Sequence, residues 1–300
     1  MDNVILRTLV IFFCVFGFIL LINILLSLRE KKTDVWRRVL GWLIVLPTFI
    51  ISGYFGGVPF LIVVMLIVSL GAIEFYSLAE HFNIKTFRII GITLSSLLPV
   101  IAFWGGSEIF HIAVILFVMI ILALPIYKRQ IKKDLSIDIH SCSATILGIL
   151  YVGWASSYLV LIRNMDSGLN YLLFFYLLML SNDIFSYYAG KFFGKTRIFT
   201  LVSPSKTLEG SVLGFAITLC FAYLLRYLIP ALEIWYALLL GIIIVVSGQI
   251  GDLVESSLKR EANIKDTGKI LPGFGGILDR FDSLIFASPI VYFFLIIVSL

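Results

Sequence analysis

Long runs of this chain carry no charge at all, among them 60–70 and 285–300, and nothing else in the sequence constrains the fold as strongly. Soluble domains devote roughly 25% of their residues to charge and break their apolar stretches every few positions. Here charged residues make up 14% and hydrophobic residues 60% of 300 positions. The chain therefore uses lipid as its solvent. A backbone in lipid must satisfy its own N–H and C=O groups, so the predicted fold class is all-α, a polytopic transmembrane helical bundle.

Windows long enough to cross ~30 Å of hydrocarbon place about ten spans. They lie near 4–28, 38–55, 58–78, 88–104, 109–127, 142–162, 169–190, 211–229, 233–251 and 283–300. The first does not read as a cleaved leader, because its apolar stretch is long and no small-x-small site comes before Arg29; it is expected to stay as an anchor. Of the 23 lysines and arginines, all but Arg7, Arg163 and Arg226 fall in the odd-numbered loops between these spans. Basic residues resist translocation, so those loops are expected in the cytoplasm and both termini outside.

The net charge of +5 thus sits at an anionic leaflet. No basic, aromatic-interleaved domain is present to hold DNA or RNA, and no nucleic-acid partner is expected. Cys14, Cys142 and Cys220 lie far apart and form no CxxC. With only His81, His111 and His140 beside them, they do not spell a zinc site.

Polarity at membrane depth is concentrated in 181–283. Before it, Glu74 stands alone near a cytoplasmic end and is expected simply to snorkel. Within it, Asp183 lies inside the seventh span, where an ionised carboxylate costs ~2.5–3.5 kcal/mol unless a partner or cavity receives it. The stretch Ser203-Pro204-Ser205-Lys206-Thr207-Leu208-Glu209-Gly210 opens the eighth span with hydroxyls, a lysine and free helix amides, the groups that hold phosphate oxygens. Gly190 and Gly194 before Lys195-Thr196 imitate a nucleotide loop, but their spacing is one residue short and no strand precedes them.

Asp252, Glu255, Ser256 and Lys259 recur at helical spacings of three and four, after glycines that permit close backbone approach. Asp279 and Asp282 are three apart, so a helix presents both carboxylates to one point. The glycine-rich turn before them is expected to let a ligand close on the backbone. Oxygen-only donors of this kind suit a hard cation such as partly hydrated Mg²⁺.

From 256 to 282 the chain resembles the phosphatidate cytidylyltransferase family, also called CDP-diacylglycerol synthases. The family signature reads Ser-x-x-Lys-Arg, four residues, Lys-Asp, then Pro-x-His-Gly-Gly and Asp-Arg-x-Asp. Here Ser256, Lys259, Arg260, Lys265, Asp266, Pro272, Gly275, Gly276, Asp279, Arg280 and Asp282 keep its spacing. Phe274 stands where the signature has histidine and is expected to pack as an apolar lid on the turn.

The resemblance implies transfer of CMP from CTP to phosphatidic acid, giving CDP-diacylglycerol and pyrophosphate in phospholipid biosynthesis. It implies Mg²⁺, with K⁺ beside it, held by Asp252, Asp279 and Asp282. Phosphates would be bound by Lys206, Lys259, Arg260, Lys265 and Arg280, with Ser203, Ser205, Thr207 and Asp183 completing the site. It also implies a homodimer in a bacterial inner membrane with the active site facing the cytoplasm, acyl chains remaining in the bilayer. Residues 37–300 would form the cytidylyltransferase membrane domain, with 1–36 an additional helix and basic loop.

Three other readings use some of the same residues. A CTP-dependent nucleotidyltransferase or kinase acting on an isoprenoid lipid needs the same metal and phosphate parts. A cation-coupled transporter could use Asp183 and Asp252 as an ion path, but the charges cluster at one face and no inverted repeat of broken spans is visible. A scaffold would not require paired carboxylates at these spacings.

The topology is testable directly. Single cysteines at Lys132 and at Ser167, in a background without native cysteines, should react with an impermeant thiol reagent from opposite sides. Labelling of the Lys132 position from outside intact cells would reverse the orientation.

Overall fold

A computed structural model describes residues 34–132, 139–268 and 275–299, together with the isolated Gly17. Among the described residues the chain is predominantly helical and contains no strand. Its helices are α1 (Asp34–Phe55), α2 (Gly57–His81), α3 (Arg88–Lys132), α4 (Ile139–Gly148), α5 (Ala155–Arg163), α6 (Gly168–Phe193), α7 (Leu208–Leu225), α8 (Ile234–Glu261) and α9 (Leu278–Ser299). A π-helical turn, Ile149–Trp154, fuses α4 to α5 into one span-length rod.

Seven helices among the described residues are long and apolar enough to cross a membrane. The protein is an integral membrane protein. The span expected at 4–28 lies outside the described residues, and the one expected at 38–55 falls in α1, whose segment Val45–Phe55 is apolar but short. Helix α3 covers the two spans expected at 88–104 and 109–127. Its 45 residues, if straight, would reach about 68 Å, over twice the hydrocarbon thickness. It breaks at Gly106, where φ is 66°, a conformation that costs glycine little.

Helix α6 is the axis of the bundle. Every residue from 170 to 182 is buried, as expected of a helix that is apolar all round, and Asp183 is the first residue after that run. Lipid gives no hydrophobic drive between helices, so tight apposition has to come from small residues. Helix α7 meets α6 through Gly210 and Gly214, facing Ser186 and Gly190. A Cβ on Gly214 would lie 2.1 Å from Ser186 Oγ and 2.7 Å from the Ser186 backbone. Helix α8 meets α9 in the same way: a Cβ on Gly251 would stand 2.7 Å from Phe286 Cβ and 3.0 Å from the Asp282 carbonyl oxygen. That contact brings Asp252 alongside Asp282.

At the opposite end, Arg163 closes the α1–α2 corner. Its Nε donates to the Gly53 carbonyl at 2.6 Å, and it packs over Gly56, whose φ of 63° makes the turn. A cation on the last carbonyls of α1 is the favourable end of the helix dipole.

The Gly214 contact sets a prediction. Gly214→Val should insert normally but lower the apparent melting temperature in detergent by roughly 5 °C, because overpacking costs about 1–3 kcal/mol. Val212→Ala, on the exposed face of the same helix, should melt like the parent. An unchanged Gly214→Val melt would mean that the α6–α7 crossing is looser than described.

Candidate active site

The cavity at the ends of α6, α8 and α9 has a volume of about 870 Å³ and, among the described residues, is lined by ones between Leu180 and Ser283. One wall is the hairpin-like connection 194–207. It is held by an Arg197–Thr207 bridge, by Leu208 N–H donating to the Thr196 carbonyl at 2.8 Å, and by the Glu209 carboxylate. Glu209 accepts from the Lys195 and Thr196 amides at 2.9 and 3.1 Å. Thr207 caps α7 by accepting from Gly210 N–H at 3.2 Å. These ties point Ser203, Ser205, Lys206 and Thr207 into the cavity.

Lys206 forms an ion pair with Asp252 across the space, and Asp252 also accepts from Ser256 Oγ at 3.4 Å. Asp183, Lys191, Asp279, Arg280 and Asp282 complete the charged lining. Asp282 is largely buried, and its Oδ1 accepts from the Ser283 amide at 2.6 Å. Asp183 opens onto the cavity. Behind them, Asn182 Oδ1 accepts from Gln249 Nε2 at 3.2 Å and from Ser186 Oγ at 3.3 Å, a polar clamp between α6 and α8.

Of the remaining expected site residues, Asp279 reaches the cavity's edge, and Lys259, Arg260 and Lys265 do not line it. Asp279 does not converge with Asp252 and Asp282 on one open point. Its Oδ2 accepts from Gly276 N–H at 2.7 Å, Thr267 N–H at 3.0 Å and Thr267 Oγ at 3.1 Å, and its Oδ1 from Lys259 Nζ at 2.7 Å. It touches the cavity, but its lone pairs are turned to the protein. Lys259 lies between Asp279 and the buried Glu255, which it meets as an ion pair, and does not line the cavity. Arg260 ties the hairpin to the end of α8: its Nε donates to the Val202 carbonyl at 3.2 Å and Nη1 to the Ile264 carbonyl at 3.3 Å. Lys265 is exposed and outside the cavity lining. Phe274 lies outside the described residues.

Glu74 departs furthest from expectation. It does not snorkel; it is 3% exposed and accepts from the backbone of α9's start, the Ile277 amide at 3.0 Å and the Leu278 amide at 2.8 Å. The glycine-rich turn makes room for this protein carboxylate: a Cβ on Gly268 or Gly276 would come within 2.3 or 2.4 Å of the Glu74 oxygens. A lone acid at membrane depth was the sole sequence signal.

The donor set suits one class of cation. Among the described residues, no three His, Cys, Asp or Glu side chains are grouped to hold a metal ion by themselves. Asp252, Asp282 and Asp183 instead offer oxygen from separate walls of one polar cavity. That arrangement fits a hard ion that keeps water and takes further oxygens from a phosphate ligand.

The sequence profile of the cytidylyltransferase family matches residues 36–298. A phosphatidate cytidylyltransferase of Bacillus subtilis strain 168 is 34% identical over 275 residues, covering 89% of this chain and 99% of that protein. Phosphatidate cytidylyltransferases of Staphylococcus haemolyticus and Staphylococcus aureus strain COL are 40% and 38% identical over 152 and 154 residues, in each case 50% of this chain and 58% of theirs.

The hairpin wall predicts its own weak point. Glu209→Gln replaces one acceptor oxygen with a donor that faces backbone N–H groups. Limited trypsin cleavage after Lys195 and Arg197 should accelerate, because the hairpin loses a charged acceptor of its backbone N–H groups. Cleavage at the parent rate would show that Glu209 does not hold the hairpin.

Proposed function

The chain belongs to the cytidylyltransferase family, and from that premise we propose that its cavity transfers the CMP group of CTP to phosphatidic acid, forming CDP-diacylglycerol and pyrophosphate. The observation that carries this reading is the meeting of Lys206 and Arg280 with Asp183, Asp252 and Asp282 around one space. The cations answer two anionic phosphates, and the carboxylates answer a metal that both phosphates share. A volume of about 870 Å³ lies within the roughly 300–1,000 Å³ of small-molecule sites. It accommodates a nucleotide and a lipid headgroup while the acyl chains stay in the bilayer.

The reaction exchanges one P–O bond for another. An oxygen of the phosphatidic acid phosphate attacks the α-phosphorus of CTP. The bond from that phosphorus to the oxygen bridging to the β-phosphate breaks, and its electron pair leaves with pyrophosphate. The nucleophile is already an anion, so the site needs no strong general base. What it must overcome is repulsion between two anions, by neutralising and aligning them. Lys206 is held at the wall by Asp252, where its ammonium meets the phosphates. Arg280 faces the same space and takes the second anion in its planar fork. Ser203 and Ser205 donate hydroxyls to phosphate oxygens from the hairpin. Lys259 and Asp279 act one layer behind, holding the first turn of α9 in place.

Mg²⁺, when bound, neutralises phosphate charge and polarises the P–O bond that breaks; Asp252 and Asp282, with Asp183 beside them, are the residues that would hold it. K⁺ belongs to the same proposal as a second cation, on the family resemblance alone. The cavity is placed on the cytoplasmic side because Lys191, Lys195, Arg197, Lys206, Lys259, Arg260 and Lys265 gather at that end of the chain's spans. The membrane proposed is the cytoplasmic membrane of a bacterium, since the relatives are bacterial. A homodimer completes the proposal by resemblance.

Purified protein given CTP, Mg²⁺ and phosphatidic acid in mixed micelles should release pyrophosphate and form CDP-diacylglycerol. Asp282→Asn should purify normally and lose at least tenfold in turnover, ~1.4 kcal/mol of barrier, with a raised Mg²⁺ requirement. Asp279→Asn should instead lower thermal stability while its Mg²⁺ midpoint stays within about threefold of the parent, because its oxygens serve backbone amides. Glu80→Gln, whose parent side chain pairs with Arg88 at the surface, is the control. If Asp279→Asn moved the Mg²⁺ midpoint and Asp282→Asn did not, the two assignments would have to be exchanged.

A further inference from the structure

Glu74 belongs to the half of the chain that, among the described residues, contributes nothing to the cavity lining, yet it is bonded to the segment that carries Arg280 and Asp282 into the cavity. It lies 203 and 204 positions before the residues whose amides it accepts. Both carboxylate oxygens are used, Oε1 by Ile277 N–H and Oε2 by Leu278 N–H, and Thr267 Oγ stands 3.4 Å from Oε2. These amides are at the start of α9, where unsatisfied N–H groups and the helix dipole favour an anion. The same Thr267 hydroxyl lies 3.1 Å from Asp279 Oδ2, so one side chain touches both buried carboxylates.

Space around Glu74 is reserved for it. A methyl group on Gly268 would stand 2.3 Å from Oε1, and one on Gly276 would stand 2.4 Å from Oε2 and 2.5 Å from Thr267 Oγ. No real Cβ sits so close to a neighbour, so both positions depend on where the Glu74 carboxylate is. Within one turn of the clamped amides come Arg280 and Asp282, which face the cavity. A shift of Ile277 and Leu278 is transmitted directly to both side chains through the rigid first turn.

We propose that Glu74 is a positioning residue for the transfer reaction, clamping the start of α9 so that Arg280 and Asp282 meet the substrates in register. The inference rests on the cytidylyltransfer reading of the cavity. Glu74 touches no reacting atom; its effect passes through α9. Misplacing reacting groups by about 1 Å can cost on the order of 100-fold in rate, so the clamp should be visible in kcat.

The test compares the parent with Glu74→Gln, Glu74→Ala, Gly268→Ala and the double variant Glu74→Ala/Gly268→Ala. Steady-state transfer is measured beside backbone amide exchange at 275–280. Glu74→Gln and Glu74→Ala should lower kcat by about 30- to 100-fold while KM for CTP stays within threefold, a split that general loss of folded protein would not give. Gly268→Ala alone should cost about tenfold, and should cost less than twofold when added to Glu74→Ala, because the methyl no longer meets a carboxylate. The Ile277 and Leu278 amides should exchange at least tenfold faster without Glu74. The isosteric Glu74→Gln carries the comparison if the alanine variant does not accumulate. A kcat within threefold of the parent, full additivity with Gly268→Ala, or unchanged exchange at Ile277 and Leu278 would each overturn the inference. A parent that makes no CDP-diacylglycerol, while exchange still accelerates in the variants, would instead remove the transfer reading and leave the clamp standing.

Discussion

An ionised carboxylate in a helical bundle at the edge of hydrocarbon has to be met by donors or cations, and the acids at this end of the protein differ in how that is done. Backbone amides meet Glu74 and, with Lys259, Asp279. Lys259 also meets Glu255, and Lys206 meets Asp252. Asp183, Asp252 and Asp282 face the cavity. The structure therefore separates acids that hold the scaffold from acids that remain open to a ligand. Leaving a carboxylate open is expensive at this depth, which is a physical reason for the open ones to cluster where phosphate-bound cations would come.

Glycine is the device that makes this separation possible. Gly251 lets α8 approach α9 until Asp252 lies beside Asp282, while Gly210 and Gly214 let α7 press on α6 and close the cavity's far wall. Gly268 and Gly276 serve a different purpose, since they admit an oxygen of Glu74 where any side chain would exclude it. The turn before α9 is thus shaped from inside by a protein carboxylate.

The hairpin 194–207 shows how a short loop between two spans becomes a rigid wall. Glu209 holds its first strand-like arm, Thr207 starts the next helix, and Arg260 reaches from α8 to the Val202 carbonyl. Thr207 and Arg260 have the chemistry of a phosphate site, and both help to hold Ser203, Ser205 and Lys206 toward the cavity. Arg260 illustrates the ambiguity well, because its guanidinium donates equally well to a carbonyl or to a phosphate.

Hydropathy alone determined that this is an all-α membrane protein. Polarity at membrane depth, concentrated in 181–283, located the cavity-lining stretch, because that depth makes every polar residue costly and therefore conspicuous. Asp183, Lys206, Asp252, Arg280 and Asp282 were legible for that reason. Sequence spacing could not say which lone pairs a side chain turns outward. Asp279 and Asp282 share a helix face at three residues apart, yet one faces Thr267 and Gly276 and the other the cavity. Nor could it link Glu74 to residues more than two hundred positions away, since a contact between distant helices leaves no local period. Those assignments were decided only by tertiary packing, which chooses the donors that each buried carboxylate can reach.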